Sequence, residues 1–234
     1  MASARIGQLV RMAILVAALL PFTVSLQAFG PTQCFPPGTV ATLLEDSRVR
    51  NGVGRPEGPF LDLKADSLAF DTPGGEQLWI GLGWDGPPWG GLVVLNCDRR
   101  LLGTRSDGYT DSIRIGPELV GVGKTVVLYA QTGSGSGFRR DEFILLGFQR
   151  DSILPLWKGT TLEDDYEMPT QGGEETRRKI TVSTNDGTIE VSGAYRKVKE
   201  GARPGEWVTV ESRQLKPQRY CWDSGHLRYE QCPY

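Results

Sequence analysis

EQLWIGLGWDGPPWGGLVVLNCDRRLL, residues Glu76 to Leu102, decides the reading of this chain. An apolar run, Leu78-Trp79-Ile80, enters the stretch. A Gly/Pro/Trp loop follows, and then a second apolar run from Gly91 to Leu95. Asn96 to Arg100 turn the chain, and Leu101-Leu102 begin another run. Short apolar runs bounded by glycine and proline specify strands joined by turns, because neither breaker is compatible with a helix of this length. The segment is therefore a hairpin with a stiff aromatic connection, and the chain as a whole reads as all-β.

The same pattern continues on both sides. Phe60 to Leu63 and Ser67 to Phe70 are short strand candidates, and Asp71 to Gly75 is a turn. Ile113-Arg114-Ile115 alternates, and Thr125 to Gln131 (TVVLYAQ) is rich in β-branched and aromatic residues. Asp141 to Gln149 and Ile153 to Trp157 flank a turn. ITVST-NDG-TIEVSG predicts a hairpin, since Asn and Gly tolerate the positive φ of tight turns. Glu206 to Leu215 alternates, and Arg219 to Cys232 forms a last hairpin around Ser224-Gly225. One short helix is expected, over Thr39 to Arg48, with Val40, Leu43 and Leu44 on one face. Asn51 to Pro59 reads as loop. Thr160 to Arg178 is acidic and then basic, and reads as a mobile polar insertion. The sheets are expected to be mainly antiparallel, built from repeated hairpins as a partial propeller, a sandwich or an open barrel.

Residues 1–28 read as an export signal. Arg5 and Arg11 precede the apolar Met12 to Leu20, Pro21 ends it, and Ala28 stands at a cleavage position, with Ser25 as the alternative. The apolar core is shorter than the roughly 20 residues a span requires. Cleavage after Ala28 would leave 206 of the 234 residues and shift the net charge from −2 to −4, since the signal carries two arginines and no acids. The expected division is an irregular segment with the helix over 29–59 and one β-domain over 60–234, in the periplasm or outside the cell. Mild acidity argues against nucleic acid, which selects a clustered basic face. No further apolar span follows the signal.

Four cysteines in an exported chain point to two disulfides. Cys221 and Cys232 close the shortest loop, which leaves Cys34 with Cys97. A tight turn at Ser224-Gly225 would instead set Cys221 opposite Arg228. No C-x-x-C pair occurs and His226 is the sole histidine, so neither a metal centre nor a cofactor is implied.

Two units match at an offset of about 48 residues: Leu78 to Leu102 and Val126 to Trp157. A multi-stranded repeat of that length is what propeller blades show. FLDLKADSLAFDTPGGEQLWIGL (Phe60 to Leu82) and IRIGPELVGVGKTVVLYAQTGSGSGF (Ile113 to Phe138) resemble blades of secreted FG-GAP/VCBS-type repeat proteins. That family places an acidic, Gly-ended loop before a strand, often around calcium. Here Asp62, Asp66 and Asp71 depart from the family's spacing, and Gly116 to Gly123 contains no aspartate. The resemblance implies an all-β repeat fold that has lost calcium binding, and it implies no enzyme.

Few stretches offer chemistry. Gly121 to Thr125 ends like a phosphate-binding loop, but Glu118 stands where its first glycine belongs and would repel phosphate. Gly133 to Gly137 places glycine where a nucleophile elbow requires serine, and only His226 could serve Ser134 or Ser136 as base. Glu163, Asp164, Asp165 and Glu167 could bind calcium or supply paired carboxylates, but read more simply as a solvated run. Arg139-Arg140 and Arg177 to Lys179 read as surface charge. The most distinctive stretch is Trp84-Asp-Gly-Pro-Pro-Trp89. Two indoles on a proline-stiffened loop form an aromatic platform that would stack on a sugar or clamp an extended peptide at small entropic cost. The alternative is that both indoles pack inward. The expected contact residues are Trp84, Asp85 and Trp89, and the expected role is non-catalytic binding of a protein or glycan. Two other roles stay open. One is a carbohydrate hydrolase drawing paired acids from Asp62, Asp85 or Asp141. The other is a structural accessory with an exposed edge strand or apolar patch.

Overall fold

In a computed structural model, residues 46–54, 63–84, 87–135, 138–149, 151–165, 173–183, 185–203 and 206–233 are described. They form one short helix, α1 (Ser47–Gly52), and twelve strands. β1 (Leu63–Thr72), β2 (Gly75–Trp84), β3 (Gly90–Asn96) and β4 (Leu101–Arg105) make a four-stranded sheet. β5 (Tyr109–Leu119), β6 (Gly123–Gly135), β7 (Phe138–Gln149) and β8 (Ser152–Asp165) begin the second. β9 (Gly173–Val182), β10 (Ile189–Glu200), β11 (Trp207–Asp223) and β12 (Arg228–Gln231) complete it. In both sheets each strand pairs antiparallel with its neighbours in sequence, and β5 and β12 are the edges of the eight-stranded sheet. The protein is all-β.

The period-2 pattern of β2 explains the layering. Its even positions, Leu78, Ile80, Leu82 and Trp84, pack with Val93 and Leu95 of β3 and with Val49 and Val53 at α1. Its odd position Trp79 faces the other way. There it meets Leu68 and Phe70 of β1, Leu92 and Val94 of β3, and Ile113, Val126, Leu128, Ile144 and Leu146 of the larger sheet. A strand buried on both faces is apolar at nearly every position, and that is how Leu78 to Trp84 reads. The odd glycines Gly81 and Gly83 let β5 approach closely. A Cβ at Gly81 would stand 2.3 Å from Thr110 Cγ2, and one at Gly83 would stand 2.6 Å from the Tyr109 ring.

Polar contacts tie the two sheets at their edge strands. Asp66 Oδ2 accepts the Ile113 N–H at 3.0 Å, and Lys64 Nζ lies 3.5 Å from Asp111 Oδ1. A third cluster forms where the later strands return over β7 and β8. Ile180, Val182, Ile189, Val191, Tyr220 and Trp222 gather with Leu119, Val127, Phe143 and Leu145. Tyr129, Phe143, Trp157 and Tyr220 meet successively edge-on, at centroid separations of 5.3, 5.8 and 5.5 Å. Such aromatic pairs contribute about 0.5–1.5 kcal/mol each beyond their buried area.

Several expectations need correction. The described helix, α1, extends past Arg48 into the stretch read as loop. Asp46 caps it, its Oδ1 accepting the Arg48 N–H at 2.8 Å, and α1 runs to Gly52. Of the expected helix, residues 39–45 lie outside the described part. Ser67 to Phe70 is one portion of a ten-residue strand, because Asp66 is held within it by the Ile113 amide rather than turning the chain. The polar stretch 160–178 is in large part strand, not insertion. Leu162, Glu163, Asp164 and Asp165 pair with Arg177, Thr176, Glu175 and Glu174. Acidic side chains face each other across this ladder, Asp164 with Glu175 and Asp165 with Glu174, in place of apolar alternation; residues 166–172 lie outside the described part. The last hairpin turns over four residues, with Asp223 opposite Arg228 and Cys221 opposite Glu230. Cys221 and Cys232 form a disulfide, with Cα atoms 5.1 Å apart. Cys97 is also disulfide-bonded, while Cys34, its expected partner, is outside the described residues.

Candidate functional site

The loop between β2 and β3 holds the aromatic pair singled out in the sequence, and the structure separates the two indoles. Trp84 is the last residue of β2 and keeps the parity of Leu78, Ile80 and Leu82, so its side chain continues the apolar face and is 3% exposed. Trp89 follows Pro87-Pro88, before β3 begins, and is 57% exposed. The Trp84 N–H donates to the Trp89 carbonyl at 3.1 Å and closes the loop at its base. The Ser134 hydroxyl donates to the Pro87 carbonyl at 2.7 Å and anchors the loop to β6. Asp85 lies outside the described residues.

Both indoles line an open cleft of about 430 Å³, together with Arg105, Asp107, Thr132 and Lys158. These residues come from four separate strands or turns, and sequence spacing gives no sign that they meet. Close backbone approach shapes the wall. Gly90 sits where a Cβ would be 2.3 Å from the Leu82 carbonyl oxygen and 2.4 Å from that of Gly108. The described cations of the cleft are paired. Arg105 Nε lies 2.5 Å from Asp107 Oδ2, and Lys158 Nζ lies 2.7 Å from Glu142 Oε2. The two carboxylate side chains are only 5% and 8% exposed, while the cations reach solvent. Thr132 Oγ1 is buried and has no hydrogen-bond partner among the described residues.

A second polar cluster crosses the larger sheet. Arg139, Asp164, Glu175 and Arg196 stand directly opposite one another on β7, β8, β9 and β10, so they share one face in the order cation, acid, acid, cation. Glu175 is nearly buried and lies 2.9 Å from Arg177 Nη2 and 3.1 Å from Arg196 Nη2. Burial works to raise the Glu175 carboxyl, but the two guanidiniums outweigh it and hold it below its ordinary value. Burial, and then the facing Glu175 carboxylate, push Asp164 upward. The two residues stand directly opposite each other on paired strands. Glycoside hydrolysis needs carboxyls about 5 Å or more apart, with the sugar between them, so this pair has the geometry of a structural ladder.

The ladder has a pH signature. Because the folded protein raises Asp164, protonation of that carboxyl favours folding at acid pH, and the benefit is lost as pH rises through the raised value. Glu175 has the opposite sign: its contribution is present above the ordinary glutamate range and fades as pH falls through its lowered value. Asp164→Asn is expected to gain melting temperature relative to the native protein, more at pH 7 than at pH 3.5. Thermal melts at the two pH values check this, and an advantage that grows on acidification would contradict it.

The remaining sequence candidates are structurally committed. Glu118 pairs with Lys124 across the β5–β6 turn, where Gly121 and Gly123 adopt φ of 85° and 86°, so the phosphate-loop-like stretch is a hairpin. Asp141 Oδ2 accepts from Arg139 Nη2 at 2.7 Å, and Glu163 Oε1 from Arg140 Nη2 at 2.5 Å. Asp62, Ser136 and Glu167 are outside the described residues. His226 Nδ1 is 2.7 Å from Asp223 Oδ2. With Glu230 these residues place three ligand-type atoms within 4.8 Å at the surface. Asp223, however, also accepts the Gly225 N–H, and Glu230 is bound by Arg228, so the group reads as the packing of a hairpin turn. No helix among the described residues is long and apolar enough to cross a membrane. No protein-family model, curated protein or solved structure matches this chain.

Proposed function

We propose that this protein is an exported, non-catalytic binding module whose contact surface is the cleft beside Trp89. The observation that carries the reading is the exposure of Trp89, 57% of a large indole, on the lip of a cleft with polar groups fixed around it. Large aromatics are ordinarily withdrawn from water, and one held out on an anchored loop lowers the entropic cost of an encounter. The Cys221–Cys232 disulfide suits an oxidising compartment outside the cytoplasm. The described carboxylates at the cleft, Asp107 and Glu142, are engaged by cations, which favours recognition over acid–base turnover.

The accessory-subunit role rests on β11. Along residues 207–219 its outer side has no strand beside it among the described residues, and Trp207, Val208 and Val210 are exposed. That edge is interrupted. Register shifts against β10 occur near Val210 and again at Lys216-Pro217. Bulges, lysine and proline are the devices by which edge strands avoid pairing with other chains, so the Trp89 cleft is the better contact surface.

Trp89→Ala is expected to weaken binding at least tenfold, about 1.4 kcal/mol, with a melting temperature close to that of the native protein. A glycan and peptide binding screen on the native protein and the variant checks this. Unchanged affinity in Trp89→Ala would remove the cleft from the account.

A further inference from the structure

We infer that the Trp89 cleft takes a neutral saccharide, a deduction that rests on the binding reading above. The exposed indole offers a flat apolar face of the kind that covers the C–H side of a pyranose ring. The polar groups around it decide the charge of the partner. Each cation in the cleft is matched in contact by a largely buried carboxylate, Arg105 by Asp107 and Lys158 by Glu142. Among the described residues these four charges sum to zero. An anionic ligand would compete with carboxylates already seated, and a cationic one would meet the solvent-facing guanidinium and ammonium first. What the pairs still offer is hydrogen bonding. Arg105 and Lys158 reach solvent and each keep N–H donors beyond those facing their carboxylates. A neutral polyhydroxylated ring uses such groups without bringing charge of its own.

The backbone weighs against an extended peptide. Peptides that add to sheets require a free edge. The cleft lies at the ends of β2 and β3, which are the inner strands of their sheet and are paired on both sides. The volume, about 430 Å³, falls at the small end of ordinary ligand sites, about 300–1,000 Å³, and suits a short oligosaccharide segment.

The test is calorimetric titration of the whole protein at 50 and 500 mM NaCl. The probes are neutral hexasaccharides of glucose in β-1,4, β-1,3 and α-1,4 linkage, the hexamer of N-acetylglucosamine, a hexauronate and an unstructured octapeptide. The expected result is binding of at least one neutral hexasaccharide, changed less than twofold by salt and weakened at least tenfold in Trp89→Ala. Trp89→Phe should recover part of the loss, because a phenyl ring still stacks. Absence of neutral binding at millimolar probe overturns the inference, as does tighter, salt-sensitive binding of the hexauronate. In either case binding of hexauronate or peptide that Trp89→Ala abolishes would keep the binding reading. Binding of any probe that Trp89→Ala leaves intact overturns both.

Discussion

Trp79→Ala is expected to lower the free energy of unfolding by about 3–5 kcal/mol, the range for removing a large aromatic from a packed core. The side chain is fully buried between the two sheets. It stacks on Phe70 at a centroid separation of 6.2 Å and meets Phe148 edge-on at 6.3 Å. Its Nε1–H donates to Gln77 Oε1 at 3.2 Å, and Gln77 is itself buried. The substitution therefore opens a cavity and strands a buried acceptor, two costs that add. Native domains are stable by only about 5–15 kcal/mol, so the variant would sit near its unfolding threshold. Equilibrium denaturation in urea measures the loss. A change below about 1 kcal/mol, as expected for an exposed position, would mean that the two sheets do not pack through this residue.

Gly90→Ala is the second large effect. The added methyl would meet the carbonyl oxygens of Leu82 and Gly108 and the Cα of Tyr109, all of them backbone atoms with no rotamer through which to retreat. Overpacking of this kind costs about 1–3 kcal/mol, and relief requires β3 to move away from the β4–β5 turn. Since Gly90, Asp107 and Trp89 share the cleft, the same movement should abolish ligand binding. Gly135→Ala is the control, since a methyl there meets nothing within 4 Å. A Gly90→Ala protein that melts with the control would show that the strands approach less closely than described.

The architecture was legible where side-chain alternation and turn chemistry coincide. TVVLYAQ becomes the core of β6, and Asn185-Asp186-Gly187 turns between β9 and β10 with Gly187 at φ 69°. The polar strands were not legible. Pairing of Asp164 with Glu175 and of Glu175 with Arg196 joins charges distant in sequence, and nothing in an acidic run followed by a basic one indicates which residues will face each other. Asp66 disguised the length of β1, because the amide that satisfies its carboxylate lies 47 residues away.

Half of the aromatic pair could have been placed from parity alone. Trp84 follows Leu78, Ile80 and Leu82 at intervals of two, so it belongs to their face, whereas Trp89 stands beyond two prolines that break the alternation. The groups around Trp89 had no such signal. Arg105, Asp107, Thr132 and Lys158 reach the cleft only through the stacking of one meander on another.

The central claim is that Trp89 meets solvent at the cleft while Trp84 is part of the core. Limited oxidation of the native protein with N-bromosuccinimide, followed by peptide mapping by mass spectrometry, addresses it in one measurement. Trp89 is expected to be oxidised well ahead of Trp84 and Trp79. Oxidation of Trp84 as fast as Trp89 would contradict it.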